Sequence, residues 1–333
     1  MYTPAKERYS IMEYNRCGRS GLLLPKISLG LWHNFGSVDS FENAERMLLR
    51  AFELGITHFD LANNYGPEPG SAERVFGKVL AGKLKGHRDE IIVSSKAGHR
   101  MWSGPYGDGS SRKSIMASID QSLKRTGLDY FDIFYSHRYD GITPIEETMQ
   151  ALADIVRCGK ALYVGISKYP LEYQRRCYSY LQAAGVPCVV SQYRNSMFDR
   201  SSDENLKVAQ QNGSGVVVFS PLAQGLLTDK YLDGIPANSR AAKSTGFLRA
   251  DQVTLQRMEA ARQLTAVAKR RGQTLSQMAL AWLLAKPPVT SVIIGASCAS
   301  QIEQNVLTLE NLCFSEDDLC EIDKIISSLP VWK

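Results

Sequence analysis

No two of the seven cysteines form a Cys-x-x-Cys pair, and an odd number cannot all pair within the chain. Cys17, Cys158, Cys177, Cys188, Cys298, Cys313 and Cys320 are scattered, which argues against a disulfide framework and fits free thiols in a reducing compartment. None lies in a motif that would activate a nucleophilic thiol. The five histidines, His33, His58, His87, His99 and His137, lack metal-ligand spacing, so no metal is expected. No apolar run is long enough to span a bilayer, and the N-terminus, Met-Tyr-Thr-Pro-Ala-Lys-Glu-Arg, has no apolar segment of the export-signal type. Blocks of like charge are missing too: Lys83-Leu84-Lys85 and Lys269-Arg270-Arg271 are small and far apart, and the net charge is only +5. These absences predict a soluble, cytoplasmic protein with neither a nucleic-acid nor a membrane partner. A homo-oligomer is compatible with them, and a mild positive field suits an anionic small molecule.

What is present is ample core material, 44% hydrophobic against 22% charged residues, arranged in alternation. Residues 12–26 read as a hairpin. Short apolar or β-branched runs then occur at 27–32, 56–61, 90–96, 130–136, 161–167, 188–192, 215–220 and 290–294. Helix-period stretches separate them, among them Ser40–Leu54, Ser71–Leu80, Ser111–Thr126, Pro144–Arg157, Leu171–Ala183 and Asp203–Gln211. Eight such units predict an α/β fold, a parallel sheet closed as a (β/α)8 TIM barrel. The runs are apolar almost throughout, as strands buried on both faces should be. A barrel with insertions can reach this length as one domain over 1–333, with a helix and tail at 315–333 outside the eight units. Residues 97–111, 193–203 and 221–253 are too long for simple connections and read as rim loops.

The strand ends carry the chemistry. The apolar runs give way to Gly30-Leu31-Trp32, Asp60, Lys96, His137, Ser167, Gln192, Ser220 and Gly295-Ala296-Ser297. In a barrel these share the rim that houses active sites. Asp60 lies within Thr57-His58-Phe59-Asp60-Leu61-Ala62-Asn63-Asn64-Tyr65-Gly66, which adds Tyr65 on a Gly/Pro-rich turn. If Asp60, Tyr65, Lys96 and His137 converge, Tyr65 can act as a general acid. A unit charge at about 4 Å in an effective dielectric of about 20 contributes roughly 4 kcal/mol, so Lys96 is expected to lower the Tyr65 pKa. Asp60 would keep Lys96 charged, and His137 would hydrogen-bond a carbonyl oxygen. Such a set delivers a proton but no electrons, which implies a hydride-carrying cofactor. No Gly-x-Gly-x-x-Gly marks a strand-to-helix turn, so the anion site is expected in the loops after strands seven and eight. There Ser297 and Ser300 precede an apolar helix at 302–309.

These residues resemble the aldo-keto reductases over nearly the whole chain. The contexts Phe-Asp-Leu-Ala-Asn-Asn-Tyr-Gly, Ser-Ser-Lys-Ala and Tyr-Ser-His-Arg place Asp60, Tyr65, Lys96 and His137 where that family carries its catalytic tetrad. Segments 30–36, 64–73, 104–113 and 221–228 are most similar to a bacterial branch that reduces a phosphorylated triose. Met-Phe-x-Arg at 197–200 and Gly-Ala-Ser at 295–297 are shared with the potassium-channel β-subunits. The resemblance implies NADPH bound across the rim and direct transfer of its pro-R hydride. It implies Ser167 and Gln192 on the carboxamide, Phe219 stacked on the nicotinamide, and Gly30, Trp32 and Asp60 alongside. Ser220, Leu222, Gly225 and Lys230 would line the pyrophosphate, and Gln224 and Gly295 would also touch the cofactor. Arg240, Ser297, Gln301 and Asn305 would surround the adenosine end, with Arg240 on the 2′-phosphate. Lys168 departs from the family, in which asparagine often follows the carboxamide serine.

The expected activity is reduction of small aldehydes or ketones, with L-glyceraldehyde 3-phosphate and methylglyoxal as candidates. Trp32, Tyr65, Trp102 and His137 would form the substrate wall. His99 would be the further histidine with access to substrate, while His58 reads as core and His87 as surface. Arg138 and Arg194 could each meet a substrate phosphate or merely solvate the rim. Two rivals stand beside this reading: an NADPH-binding, redox-sensing β-subunit-like protein with little turnover, and a Schiff-base lyase using Lys96 as nucleophile.

Overall fold

A computed structural model describes residues 2–236, 240–242, 248 and 250–330, Arg240 by its backbone alone. Eight parallel strands close into a barrel with each strand hydrogen-bonded to its neighbours in chain order. They are, first to eighth, Ile27–Gly30, His58–Asp60, Ile92–Ala97, Phe131–Ser136, Ala161–Ser167, Cys188–Arg194, Gly215–Phe219 and Val289–Ile294. The eighth returns to the first with Val292 opposite Ile27. The predicted barrel is therefore the observed one, with strand limits differing by a few residues.

Helices pack outside because their apolar faces have the required spacing. Phe41–Glu53 buries Ala44, Met47, Leu48, Ala51 and Phe52, a three-and-four stripe, and starts where the Ser40 hydroxyl accepts the Asn43 N–H at 3.2 Å. Ser71–Ala81, Arg112–Thr126, Ile145–Arg157, Leu171–Ala183 and Asp203–Gln211 follow the next five strands. Between the seventh and eighth strands lie two helices, Leu255–Arg270 and Leu275–Leu284, not one. The first pairs outside the ring with the C-terminal helix Glu316–Ser327. That last helix begins with a reciprocal capping box between Ser315 and Asp318.

The N-terminal hairpin, Tyr14–Arg16 paired antiparallel with Leu23–Pro25, stoppers the bottom of the barrel. Its Cys17, Leu22 and Leu24 pack with Ile133, Tyr135, Val190, Val217 and Ile293 from the interior. Gly18, at φ +56, lies so close to Gly213 and Gly215 that a Cβ there would collide with their backbone. The hairpin thus closes the bottom of the barrel, and the strands' C-terminal ends form the opposite rim. The 221–253 stretch carries short helical turns at Ala223–Gly225, Asp229–Tyr231, Arg240–Ala242 and Ala250–Gln252. The Arg240 side chain, assigned above to a 2′-phosphate, lies outside the described residues, as does the tail 331–333.

Candidate active site

Asp60 ends the second strand, Lys96 is next to last in the third, and His137 follows the fourth. All three therefore share the open rim, and Tyr65 joins them from the turn after Asp60. The Lys96 ammonium donates to Asp60 Oδ2 at 2.5 Å, to the Leu61 carbonyl at 2.7 Å and to the Tyr65 hydroxyl at 3.4 Å. Lys96 has no exposed surface. Its pKa is lowered by desolvation and supported by Asp60. An ammonium held this way is a fixed charge, which disfavours Lys96 as a free amine nucleophile. His137 is buried, and its ring stands edge-on to Tyr65 with centroids 5.9 Å apart. Burial, then the cations Lys168 and Lys96, push its pKa well down, so the imidazole is neutral at pH 7. Its Nδ1 is buried without a hydrogen-bond partner.

The Tyr65 pKa is raised well above 10, by desolvation first and by Asp60 second. The sequence predicts a lowering by Lys96 before desolvation is subtracted, and in the folded protein desolvation outweighs it. Burial disfavours the phenolate, and Asp60, which sits closer to Lys96 than Tyr65 does, opposes the ammonium's field. The phenol therefore stays protonated across the neutral range, which is the state an acid must start from. Lys96 remains near enough to stabilise a phenolate as it forms.

Asp60 is itself held from behind. Its Oδ1 accepts from Ser94 Oγ at 2.7 Å and Gln192 Nε2 at 3.1 Å. Ser94 Oγ meets His58 Nε2 at 2.9 Å, His58 Nδ1 meets Ser28 Oγ at 2.8 Å, and Ser28 meets Ser291 Oγ at 2.7 Å. This polar chain crosses the barrel interior beneath the rim, so His58 is core, as expected, but core with both ring nitrogens engaged. Ser28, Ser94 and Ser291 were not singled out in the sequence; their signal is a polar residue inside an otherwise apolar strand. Asn63 was also missed. It is buried beside Tyr65, and neither of its side-chain amide atoms has a partner.

Burial lowers the His58 pKa to about 4. Its unfolded counterpart titrates near 6.5, so the unfolded chain binds the extra proton between those values. Stability from neutral His58 is intact above about pH 6.5 and is lost as pH falls towards 4. The expected loss is on the order of 3 kcal/mol beyond that of a His58→Gln variant. Urea unfolding of both proteins at pH 7 and pH 4.5 checks it; parallel losses would rule it out.

Ser167 ends the fifth strand opposite Gln192 of the sixth, and Ser167 Oγ is buried with no partner. Phe219 ends the seventh strand half-buried, and Trp32 lies 6.3 Å from the Tyr65 ring, centroid to centroid. Trp32, Phe219, Ser220, Gln224 and Arg194 border a cleft of about 150 Å³. Ser220, Ala223 and Gln224 all have φ between +48° and +60°, an unusual cluster for residues with side chains. Leu222 and Gly225 share that turn, while Lys230 is exposed beyond it. Gly30 and Gly295 end or follow the first and eighth strands. The last barrel helix is Ala299–Val306, so Ser300 lies inside it and not before it. Ser297 N–H donates to Gln301 Oε1 at 2.8 Å, and Asn305 is buried one turn on. Trp102 packs against Gly107 of its own loop. Arg138 pairs with Asp108 at 2.8 Å and Arg194 with Asp199 at 2.5 Å. Among the described residues, no cluster of His, Cys, Asp or Glu could hold a metal, and no helix is long and apolar enough to cross a membrane.

The profile of the Aldo/keto reductase family matches residues 26–327. The chain belongs to the aldo/keto reductase family. It is an oxidoreductase built on the family's barrel. It is 51% identical to L-glyceraldehyde 3-phosphate reductase of Escherichia coli K12, over 98% of this chain and 96% of that one. It is 34% identical to a putative voltage-gated potassium channel subunit beta of Schizosaccharomyces pombe, over 94% and 93% of the two chains. A probable subunit of the same kind from rice is 33% identical over 96% and 98%.

Proposed function

We propose that this protein reduces small aldehydes to alcohols with NADPH, and that L-glyceraldehyde 3-phosphate is the leading substrate candidate, with methylglyoxal second. The observation that carries the reading is the Tyr65 hydroxyl beside a buried Lys96–Asp60 pair, on the rim of a chain half identical to a reductase of that triose phosphate. The cofactor fits the residues present: the orphaned Ser167 hydroxyl, opposite Gln192, is a polar atom that a carboxamide would satisfy. Phe219 would stack on the ring, with Trp32, Gly30 and Asp60 beside it. Ser220, Leu222, Gln224, Gly225 and Lys230 would hold the pyrophosphate, and Arg240, Gly295, Ser297, Gln301 and Asn305 the adenosine end. When bound, NADPH supplies the hydride.

The side chains supply the rest. Tyr65 holds its proton towards the carbonyl oxygen and releases it as negative charge builds there. Lys96, fixed by Asp60 and the Leu61 carbonyl, stabilises the phenolate left behind. Neutral His137 donates a hydrogen bond that orients the carbonyl. Trp32 and Trp102 wall the substrate from solvent.

The test is loss of reduced-nicotinamide absorbance with a panel of short aldehydes. Tight retention of NADPH with no turnover on any of them would favour a sensing role of the β-subunit kind. Ser167→Ala should weaken NADPH binding roughly 5- to 10-fold, read by fluorescence titration, with little change in folding stability. Unchanged affinity would remove Ser167 from the carboxamide site.

A further inference from the structure

Lys168 follows the fifth strand in a left-handed conformation, φ +57, that side-chain-bearing residues seldom adopt. Its backbone N–H is held by the Gln192 carbonyl at 3.2 Å. Its ammonium lies 3.0 Å from His99 Nε2, and the His99 ring stands edge-on to His137 with centroids 4.5 Å apart. The positive charge thus sits one imidazole away from the carbonyl-orienting residue. The spacing suits a short carbon chain between a carbonyl and an anionic group.

Charge pairing separates Lys168 from its neighbours. Lys96 is matched by Asp60, Arg138 by Asp108 and Arg194 by Asp199. No carboxylate is paired with Lys168 among the described residues. The groups it faces are His99, His137 and the cations Lys96, Arg138 and Arg194. The side chain reaches solvent, yet protein atoms crowd the ammonium. Desolvation, then those three cations, lower its pKa to about 8. His99 is lowered to about 4 by desolvation and by Lys168, so it is neutral and free to share a proton with a ligand. A cation kept among like charges, in a strained backbone position and without an anion of its own, is arranged to receive one.

We propose that Lys168, with His99 beside it, binds the phosphate of a phosphorylated three-carbon aldehyde whose carbonyl lies at Tyr65 and His137. This rests on the reductase reading above and assigns the substrate phosphate to a residue outside the family pattern. Arg138 and Arg194, the two sequence candidates, are already engaged with carboxylates.

The experiment uses the full chain loaded with nicotinamide cofactor and three variants of one position. In Lys168→Met, the ratio of kcat/KM for L-glyceraldehyde 3-phosphate to that for L-glyceraldehyde should fall roughly 10- to 100-fold. Lys168→Arg should restore most of it, and Lys168→Asn should behave like methionine. For the wild type, kcat/KM on the phosphorylated substrate should decline as pH rises through about 8. The decline should be absent with the unphosphorylated aldehyde. Glycerol 3-phosphate, titrated calorimetrically into the NADP-loaded protein, should bind the wild type and not Lys168→Met. Equal loss on both aldehydes, or an unchanged ratio, would overturn the assignment. If the wild type reduces neither aldehyde, the reductase reading fails instead. The calorimetric result then still decides Lys168: binding that survives Lys168→Met overturns the site.

Discussion

Replacing Tyr65 with phenylalanine should lower kcat for aldehyde reduction by about 100- to 10,000-fold, the usual contribution of a positioned proton donor. Cofactor affinity should hold, because the ring and its contact with Trp32 are kept and only the hydroxyl is lost. The raised pKa adds a pH signature. A phenol above its ordinary range remains protonated at neutral and mildly alkaline pH, so the reduction rate should not fall from Tyr65 ionisation below about pH 10. Alcohol oxidation, which needs the phenolate, should instead rise with pH. Steady-state rates in both directions, with a cofactor titration of the variant, check these points together.

Breaking the Lys96–Asp60 pair should have the largest effect on stability. Both side chains are buried, and Lys96 would be left with a carbonyl and a phenol as its partners. Asp60→Asn removes the countercharge and should cost about 3–5 kcal/mol, as losing one member of a buried pair does. Lys96→Met should cost less, because the Asp60 carboxylate keeps the Ser94 hydroxyl and the Gln192 amide. Combining Asp60→Asn with Lys96→Met should recover most of the stability lost in Asp60→Asn and none of the activity. Denaturant midpoints for the three variants give the coupling directly. Additive losses would mean that the two charges do not sustain each other.

The barrel was legible because parallel strands buried on both faces leave continuous apolar runs, and because each run stops at a residue with rim chemistry. Asp60, Lys96 and His137 stood out for that reason, and Tyr65 by its neighbours. The two helices between the seventh and eighth strands, Leu255–Arg270 and Leu275–Leu284, lie beyond the 221–253 insertion and are not named from the sequence. Leu275–Leu284 is buried on nearly every side and so lacks a periodic polar face. The chain of Ser28, His58, Ser94 and Ser291 was invisible because each residue belongs to a different strand, and only closure of the sheet brings them together. The direction of the Tyr65 shift was missed for a related reason. It depends first on how completely the phenol is buried and then on Asp60 lying nearer to Lys96 than the phenol does, neither of which spacing along a chain carries. The pairing of Arg138 and Arg194 with loop carboxylates, while Lys168 has none among the described residues, is likewise a product of loop packing.

The central claim is that Tyr65 delivers the proton that completes carbonyl reduction on this rim. Single-turnover reduction of glyceraldehyde by protein preloaded with NADPH tests it without interference from product release. Wild type should consume the bound cofactor in one fast phase, and Tyr65→Phe, equally loaded, should leave it almost untouched over the same time. Equal rates in the two proteins would contradict a tyrosine acid here.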